Sequence, residues 1–394
     1  MAFPVDRIKL ARVQSCMAEQ GLDALVVRAP DNVVYLTNYW PMKGYAMAVF
    51  RAHGDPTLLV LEAQLDNARR NAWTSDIRTF RFYDESDPRP PTARSLDAAI
   101  EVLEADGLTG KVGLELSQGS QICDRMVGEP TVFTYFYFEA IQAACRETVD
   151  AVALLAGCRM IKTEQEIERM RLANELAAIG LEYTRQNLEP GRMTECEAAA
   201  MIEGHIHSVG VGYQGKVEMA RAFALVWSGP GIATFTATKD NPIQANQPTL
   251  FELWVCADGY WTDLTKNLCP EPPTPDYDRL LDSMLSILIE AADYCRPGAE
   301  LGGLDRLIRK RIEEAGYPGQ PSHPVAHGVG TRAHEPPFAH QAAPGVVEEG
   351  MVLAIEPGAY WAGGGGLRLE DNYLITHADA IALCPFGDDF RTHG

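Results

Sequence analysis

Residues 251–267 read FELWVCADGYWTDLTKN, and this stretch sets two carboxylates within strand-like sequence. Glu252 lies in the first apolar run, Asp258 and Gly259 form a turn typical of a tight hairpin, and the return segment carries Asp263. Two carboxylates eleven residues apart, on strands paired across such a turn, can converge on one point. Because an acid inside an apolar strand is costly unless it is paired or bound to a cation, the hairpin predicts a charged cluster or a metal site.

Three histidines follow the hairpin in the last third of the chain. The sequence HPVAHGVG at residues 323–330 contains His323 and His327, and His334 begins a His-Glu-Pro triplet seven residues after His327. A single histidine in a glycine-rich turn is ambiguous between a structural and a chemical role. Their position between acid-bearing segments makes all three candidates for one site.

Two further acids lie in apolar strands near the C-terminus. Glu356 ends the run GMVLAI, and Arg368 and Glu370 are two residues apart, on one face of a predicted strand. Taken alone, Glu356 before proline is a typical strand-end residue, and Asp263 can simply cap its turn. All these residues occur in order within about 120 positions, which favours a shared site. Carboxylates with imidazole suit Mn, Fe, Co or Zn better than Mg or Ca, and shared carboxylates can hold two cations about 4 Å apart.

The first 150 residues alternate helical and strand-like segments, which is typical of a small α/β domain. Apolar residues at helical spacing predict a helix over 7–19, with Gly21 as its C-cap. The remaining pattern predicts a turn at Pro30 and Asp31, a hairpin turn at 53–56, a helix at 95–103, and strands at 24–27, 33–36, 47–50, 58–61 and 111–116.

Helices open the second part of the chain. Capping-box patterns begin at Thr163 and Thr194, and the second follows a Pro-Gly pair at 190–191. Helical patterns recur at 280–291 and 304–315, on either side of a second Pro-Gly pair. Two helix–Pro-Gly–helix units, each followed by strand-like sequence, suggest an internal duplication, although such units are also common by chance.

The composition of the 394-residue chain is that of a two-domain globular enzyme, with 46% hydrophobic and 22% charged residues. Its net charge of −20 argues against nucleic acid or an anionic membrane as a partner. No apolar run approaches ~18 residues, and charged residues occupy the amino terminus where a secretory signal needs an apolar stretch. The nine cysteines are scattered without a CxxC pair, so we expect reduced thiols and a cytoplasmic protein.

Together with IKTEQEIERMR at residues 161–171, these motifs resemble the pita-bread metallopeptidase superfamily, which includes methionine aminopeptidase, aminopeptidase P, prolidase and creatinase. The resemblance covers nearly the whole chain. It implies a creatinase-like α/β domain over residues 1–150 and a catalytic α+β domain over 151–394, in which helices flank a curved antiparallel sheet. It also implies a homodimer that acts on a small molecule or a short peptide.

The resemblance carries the family's site residues onto this chain position by position. The implied ligands of one or two divalent ions (Mn, Co, Zn or Fe) are Glu252, Asp263, His327, Glu356 and Glu370. The implied catalytic residues are His334, which contacts the substrate and the tetrahedral intermediate, and Glu356, which shuttles a proton. The expected substrate-binding residues are His323, Arg368, Phe235 and Trp227. Three further aromatic residues either shape a pocket or pack the sheet: Trp254, Tyr260 and Trp261.

Three positions depart from the family pattern. Glu252 replaces an aspartate, which weakens the metal that this ligand serves and makes a mononuclear centre an alternative. Phe235, or Thr236 if the loop shifts by one residue, replaces a proton-donating histidine. Lys266 replaces an arginine, whose bidentate fork a lysine cannot reproduce.

These departures leave three hypotheses about function. The first, favoured by the retained ligands, is a metal-dependent hydrolase of a peptide or amide C–N bond, similar to Xaa-Pro dipeptidases and aminopeptidases. The second is a hydrolase of a small C–N compound that uses no metal, similar to creatinase or ectoine hydrolase. The third is a non-catalytic peptide-binding module, similar to superfamily members in histone-chaperone subunits.

Overall fold

The computed structural model describes residues 3–41, 45–118, 135–232, 236–318, 320–361 and 365–393. The chain divides into two compact units, residues 1–159 and 160–394. Among the helices of the described ranges, none combines the length and the apolar character needed to cross a membrane.

The first unit is a mixed sheet with helices on both faces. Its helices are α1 (Arg7–Glu19), α2 (Pro30–Thr37), α3 (Leu65–Asn71), α4 (Pro91–Ala105), α5 (Tyr135–Ala144) and α6 (Val152–Met160). Its strands are β1 (Ala24–Val27), β2 (Met47–Arg51), β3 (Thr57–Leu61), β4 (Ile77–Phe80), β5 (Lys111–Leu114) and β6 (Glu147–Asp150), in the spatial order β4-β3-β2-β1-β5-β6. Alternate residues of β1 enter two separate apolar clusters, Leu25 and Val27 in one and Ala24 and Val26 in the other. The sheet is therefore buried on both faces, as in an α/β fold.

The first helix follows the sequence prediction from end to end. Asp6 at its N-cap accepts a hydrogen bond from Lys9 N, and Gly21 beyond its last turn has a left-handed φ of 64°. Leu22 N then donates to Met17 O at 2.9 Å, as in a Schellman motif. The structure also confirms the strand β1, the β2–β3 hairpin, the helix α4 and the strand β5.

The predicted strand at 33–36, with the turn before it, is wrong, because this segment lies within α2. Pro30 occupies the first turn of that helix, where its missing N–H leaves no bond unmade and its fixed φ favours the helical conformation. Asn38 ends the helix with a φ of 64°. Every residue from Asp31 to Thr37 is buried, and an apolar run buried on all sides carries no periodicity that separates helix from strand.

The second unit consists of two helix pairs, each followed by antiparallel strands. Its helices are α7 (Glu164–Asn187), α8 (Glu195–Gly210), α9 (Pro275–Tyr294) and α10 (Leu301–Glu314). The first pair leads into the sheet β7 (Ala220–Ser228), β8 (Thr249–Ala257) and β9 (Tyr260–Leu268). The second pair leads into β10 (Ala326–Gly328), β11 (Glu335–Ala339), β12 (Val352–Ile355), β13 (Gly358–Trp361), β14 (Gly365–Arg368), β15 (Asp371–Ile375) and β16 (Ala380–Ala382). Five of these strands form a sheet in the order β11-β10-β12-β15-β16, and β13 pairs with β14.

Both predicted capping boxes are present in the second unit. The Thr163 and Thr194 side chains each accept from the amide three residues on, and Glu166 and Glu197 reach back to the cap amides. The helix pairs bring their apolar faces onto the strands, and α9 and α10 cover a large buried cluster beneath the five-stranded sheet.

Candidate metal centre

The β8–β9 hairpin brings Glu252 and Asp263 onto one face of the three-stranded sheet. Asp258 and Gly259 have φ values of 47° and 88°, the left-handed conformations that a two-residue hairpin turn requires. In the resulting register Glu252 lies opposite Thr265, two residues from Asp263, so the two carboxylates are diagonal neighbours. Both are buried. The convergence predicted from their spacing is thus produced by the turn.

His327 lies on β10, directly opposite Ala354 of β12, and Glu356 follows the end of β12. His327 Nε2 is 3.6 Å from Asp263 Oδ2 and 3.7 Å from Glu356 Oε1. Its Nδ1 lies 3.0 Å from Gly328 O, and donation to this carbonyl leaves the lone pair on Nε2. This tautomer is the one that a metal-binding histidine needs.

Glu370 reaches the same point from the segment after β14. Its backbone N donates to Thr265 O at 3.0 Å, and Thr265 Oγ1 donates to Glu370 Oε2 at 2.7 Å, so Thr265 holds both the backbone and the carboxylate of this residue. Its other oxygen, Oε1, is 3.9 Å from His327 Nε2. Burial raises the pKa of Glu370, the Glu356 carboxylate raises it further, and Arg368 and His327 act in the opposite direction.

Ligand atoms from these residues group closely enough to hold a cation. In each of three buried sets, the ligand atoms all lie within 4.8 Å of one another: Asp263, His327 and His334; His327, Glu356 and Glu370; Glu252, Asp263 and Glu370. Oxygen and imidazole donors of this kind fit Mn, Fe, Co or Zn. The donor set, its burial and the orientation of His327 therefore fit the divalent ions expected from the sequence.

His334 lies beside this centre, on the side of Asp263. Its Nε2 is 3.2 Å from Asp263 Oδ2, and its ring centroid is 4.5 Å from that of His327. The Trp254 ring, which lies opposite Asp263 across the β8–β9 pair, is 6.3 Å from the His334 ring.

His323 and Arg368 flank the centre on the side of Glu356 and are joined by Tyr360. His323 Nδ1 is 3.2 Å from Glu356 Oε2, and its Nε2 is 3.1 Å from the Tyr360 hydroxyl. Arg368 donates to that hydroxyl at 3.3 Å, donates from Nε to Thr265 Oγ1 at 2.7 Å, and forms an ion pair with Glu252. Burial by itself lowers the pKa of His323, but the Glu356 carboxylate, the Pro324 carbonyl and the Glu370 carboxylate together outweigh it, and the net shift is upward.

Sequence reasoning missed Tyr360 and the part played by Thr265. Both hydroxyls lie between charged groups of the centre, and neither carries a spacing signal, since their roles depend on strands distant in sequence. Tyr260, by contrast, packs in the core, where its hydroxyl donates to Glu166 at 3.1 Å.

The remaining predicted positions are placed as follows. Trp227 is buried against Ile232 and Leu250, in a small cluster that Tyr360 also touches. Phe235 lies outside the described residues. Lys266 is buried on the opposite face of β9 from Thr265, where its ammonium contacts Asp371 and Asp388 at 2.7 Å each. This lysine therefore serves a structural ion-pair network rather than the cluster of Glu252 and Asp263.

Comparisons with known proteins agree with this geometry. A family model described as metallopeptidase family M24 matches residues 168–377, and one for the creatinase/prolidase N-terminal domain matches 9–161. The Xaa-Pro dipeptidase of Lactobacillus delbrueckii subsp. lactis is 25% identical over 380 residues, covering 94% of this chain and 94% of that protein. The prolidase structure from Pyrococcus horikoshii has a TM-score of 0.78 at 24% identity and covers 98% of this chain and 100% of that one. The Xaa-Pro dipeptidase structure from Bacillus anthracis has a TM-score of 0.79 at 20% identity and covers 97% of this chain and 98% of that one.

These findings confirm the resemblance and the fold class predicted from the sequence. They do not favour the alternative of a hydrolase that uses no metal. The M24 match alone covers more than half of the 394 residues. The chain belongs to metallopeptidase family M24 and is a metal-dependent hydrolase with a creatinase/prolidase N-terminal domain.

Proposed function

We propose that this protein cleaves Xaa-Pro dipeptides or short Xaa-Pro peptides. The observation that carries the proposal is the convergence of buried carboxylate and imidazole ligands within 4.8 Å in an M24 chain. Relatives named Xaa-Pro dipeptidase and prolidase support the proline-containing substrate class.

The cation would be held by Asp263, His327, Glu356 and Glu370, with Glu252 as a fifth ligand. When bound, a divalent ion polarises the scissile carbonyl and lowers the pKa of a coordinated water. The Glu252 carboxylate is already in an ion pair with Arg368, which supports one firmly held ion and a second, weaker one. Of the candidate metals, we propose manganese, because carboxylates outnumber imidazoles in the ligand set.

The surrounding side chains would bind and orient the peptide and move protons. Glu356 faces His323 at 3.2 Å, which supports its transfer of a proton to the leaving amine. His334 would donate to the oxygen of the tetrahedral intermediate from its position beside Asp263. Arg368 and Thr265 hold the carboxylates in place, and His323, Arg368, Trp227 and Phe235 would form the substrate-binding positions proposed from the sequence.

The proposal also covers the cellular compartment and the oligomeric state. We propose a cytoplasmic homodimer: the described cysteines, among them Cys158, Cys256 and Cys295, are free thiols, as expected of a reducing compartment. Size-exclusion chromatography with light scattering checks the dimer independently of activity.

The activity is tested by hydrolysis of Leu-Pro and, as a control, Leu-Ala, after chelation and after addition of Mn, Co, Zn or Fe. We expect Leu-Pro cleavage to stop on chelation and return with metal, and the Glu356→Gln variant to lose at least about 100-fold in kcat. The exposed Glu349 provides the matched variant, Glu349→Gln, which should retain full activity. Cleavage that survives chelation, or no Xaa-Pro cleavage with any of the four metals, would overturn the proposal.

A further inference from the structure

Two cysteines of the first unit lie side by side, although they are 142 positions apart in the sequence. Cys16 is on α1 and Cys158 is near the end of α6, and their Sγ atoms are 3.7 Å apart. The sulfur atoms of a disulfide are about 2 Å apart. The remaining gap of about 1.7 Å is a distance that rotation of the two side chains about their Cα–Cβ bonds can close.

The helices that carry these cysteines are held together at the same point. Arg12, one turn before Cys16 on α1, donates from its guanidinium to Cys158 O at 3.2 Å. The Tyr35 hydroxyl of α2 donates to the same carbonyl at 2.9 Å. Cys158 belongs to an apolar cluster to which α1 contributes Val13, and Cys16 packs against that cluster. The fold itself therefore keeps the two sulfur atoms adjacent.

The two thiols differ in their access to solvent. Cys16 is partly exposed, whereas Cys158 is 3% exposed. Burial, with a smaller contribution from the neighbouring Cys16, raises the pKa of the Cys158 thiol to about 12, so this thiol keeps its proton at neutral pH. An oxidant in solution therefore reaches Cys16 first, and Cys158 is placed to react with the product.

We propose that Cys16 and Cys158 form a reversible oxidation site, which hydrogen peroxide closes to a disulfide that ties α1 to α6 and which a cellular thiol reopens. The Cys16 sulfur attacks the peroxide, forming an S–O bond as the O–O bond breaks, and the products are a sulfenic acid and one water. The Cys158 sulfur then attacks Cys16 Sγ, forming the S–S bond as the S–O bond breaks. Its thiol proton leaves with the hydroxide as a second water, so two thiols lose two electrons and the peroxide gains them.

The expected consequence is a more firmly held first helix. The disulfide joins α1 to residues near the end of the first unit and closes a loop of 142 residues, which strongly restricts the unfolded chain. Opening of α1 away from α6 is then suppressed, and its amide hydrogens exchange more slowly. The inference concerns the first unit alone and holds whichever peptide the second unit cleaves.

The full chain is tested by peroxide treatment followed by peptide mass spectrometry. The reduced protein is exposed to a small excess of hydrogen peroxide, blocked with iodoacetamide under denaturing conditions and digested without reductant. We expect the peptides containing Cys16 and Cys158 to appear joined, two hydrogen masses lighter than their sum, and to separate on addition of dithiothreitol. Amide exchange over residues 7–19 should slow by about 10-fold or more in the oxidised protein, while that of α8 in the second unit stays unchanged.

Three variants assign the roles of the two thiols. Cys16→Ser should prevent both the cross-link and the slower exchange of α1. Cys158→Ala keeps the first thiol but removes the second, so peroxide should carry Cys16 on to sulfinic acid. Cys196→Ser, at an exposed cysteine of the second unit, is the matched control and should retain the cross-link and its effect on α1.

The decisive outcomes come from the wild type and do not depend on how well a variant folds. The proposal is overturned if peroxide leaves Cys16 unmodified, takes it to sulfinic acid or joins it to a cysteine other than Cys158. Equal exchange rates over residues 7–19 in the cross-linked and the reduced protein would also contradict it.

Discussion

Buried carboxylates occur in both units of the chain, but they are neutralised in different ways. In the first unit, Glu115 accepts hydrogen bonds from Arg28 N at 2.8 Å and from Asn32 Nδ2 at 2.6 Å, and Asp31 forms an ion pair with Arg159 at 2.6 Å. Each of these acids has fixed partners within the protein. Asn32 lies in α2, Arg28 lies just before that helix, and Arg159 lies near the end of α6.

Four buried carboxylates of the second unit instead converge on one another, whereas others in that unit, such as Asp371 beside Lys266, have fixed partners. Those of Glu252, Asp263 and Glu370 offer oxygens within 4.8 Å, and Glu356 joins Glu370 around His327. Among the described residues, the carboxylates of this cluster outnumber its guanidinium, that of Arg368. A cluster with this excess of negative charge is stable when a divalent cation enters it. The four converging acids of the second unit therefore indicate a binding site, whereas the paired acids of the first unit indicate structure.

The largest expected effect is the loss of activity when one of the converging acids is removed. Glu370→Ala removes a ligand held by Thr265 and should lower kcat/KM for the preferred peptide by at least about 10³-fold. Glu349→Ala, an exposed glutamate on the same unit, should leave kcat/KM unchanged. Wild-type rates in Glu370→Ala under saturating metal would show that the cluster is not the reaction centre.

A second substitution tests the fixed pairing of the first unit. Arg159→Met leaves Asp31 buried without its guanidinium and should lower the free energy of unfolding by about 3–5 kcal/mol. The double variant Asp31→Asn/Arg159→Met should recover most of this loss, because the uncompensated charge is gone. Urea denaturation followed by circular dichroism measures both. If the single and double variants are equally destabilised, the ion pair is not the cause.

The pH dependence of stability gives a third contrast. Burial raises the pKa of Glu115 from 4.5 to about 7, although Asn32 and the Arg28 amide act to lower it. Between pH 4.5 and about 7 the folded protein binds more protons than the unfolded chain. The stabilising contribution of Glu115 to the free energy of unfolding is therefore complete below pH 4.5 and is lost as the pH rises through about 7. The full shift corresponds to a free energy on the order of 3 kcal/mol.

Glu115→Gln removes this titration. Its free energy of unfolding should therefore increase relative to wild type as the pH is raised from 4.5 to 7.5, measured by urea midpoints at intervals of half a pH unit. A difference that stays constant over this range would contradict the assignment.

The smallest expected effect concerns the metal-free second unit. Glu370→Gln keeps an oxygen for the Thr265 hydroxyl but removes one of the like charges around His327. After chelation, this variant should be more stable than wild type by about 1 kcal/mol. Added metal should stabilise the wild type and not the variant, which reverses the order. A metal-stripped variant less stable than the wild type would mean that the charges do not repel one another.

Local sequence signals predicted the elements whose ends are determined by neighbouring residues. Asp6 and Thr163 cap their helices through bonds within three residues, and Asp258 with Gly259 sets the register that joins Glu252 to Asp263. The hairpin half of the candidate centre was therefore predictable from spacing alone. The family resemblance supplied the roles of the remaining residues, which stay predictions.

Features that depend on contacts between distant segments could not be predicted in this way. The helix α2 contains Val33 and Tyr35, which favour strands, and its burial on all sides removes the periodicity that identifies a surface helix. The contacts of Tyr360 with His323 and Arg368 arise from pairing between strands, as does the structural role of Lys266. Neither leaves a pattern in the local sequence.

The central claim, that the four converging acids of the second unit form a cation site, is tested most directly by metal content. Wild type, Glu370→Ala and the first-unit variant Glu115→Gln are stripped, incubated with Mn, dialysed and measured by plasma mass spectrometry. We expect at least one Mn per chain in the wild type and in Glu115→Gln, and a stoichiometric loss in Glu370→Ala. No bound metal in the wild type after incubation with Mn, Co, Zn or Fe, or equal binding by Glu370→Ala, would contradict the claim.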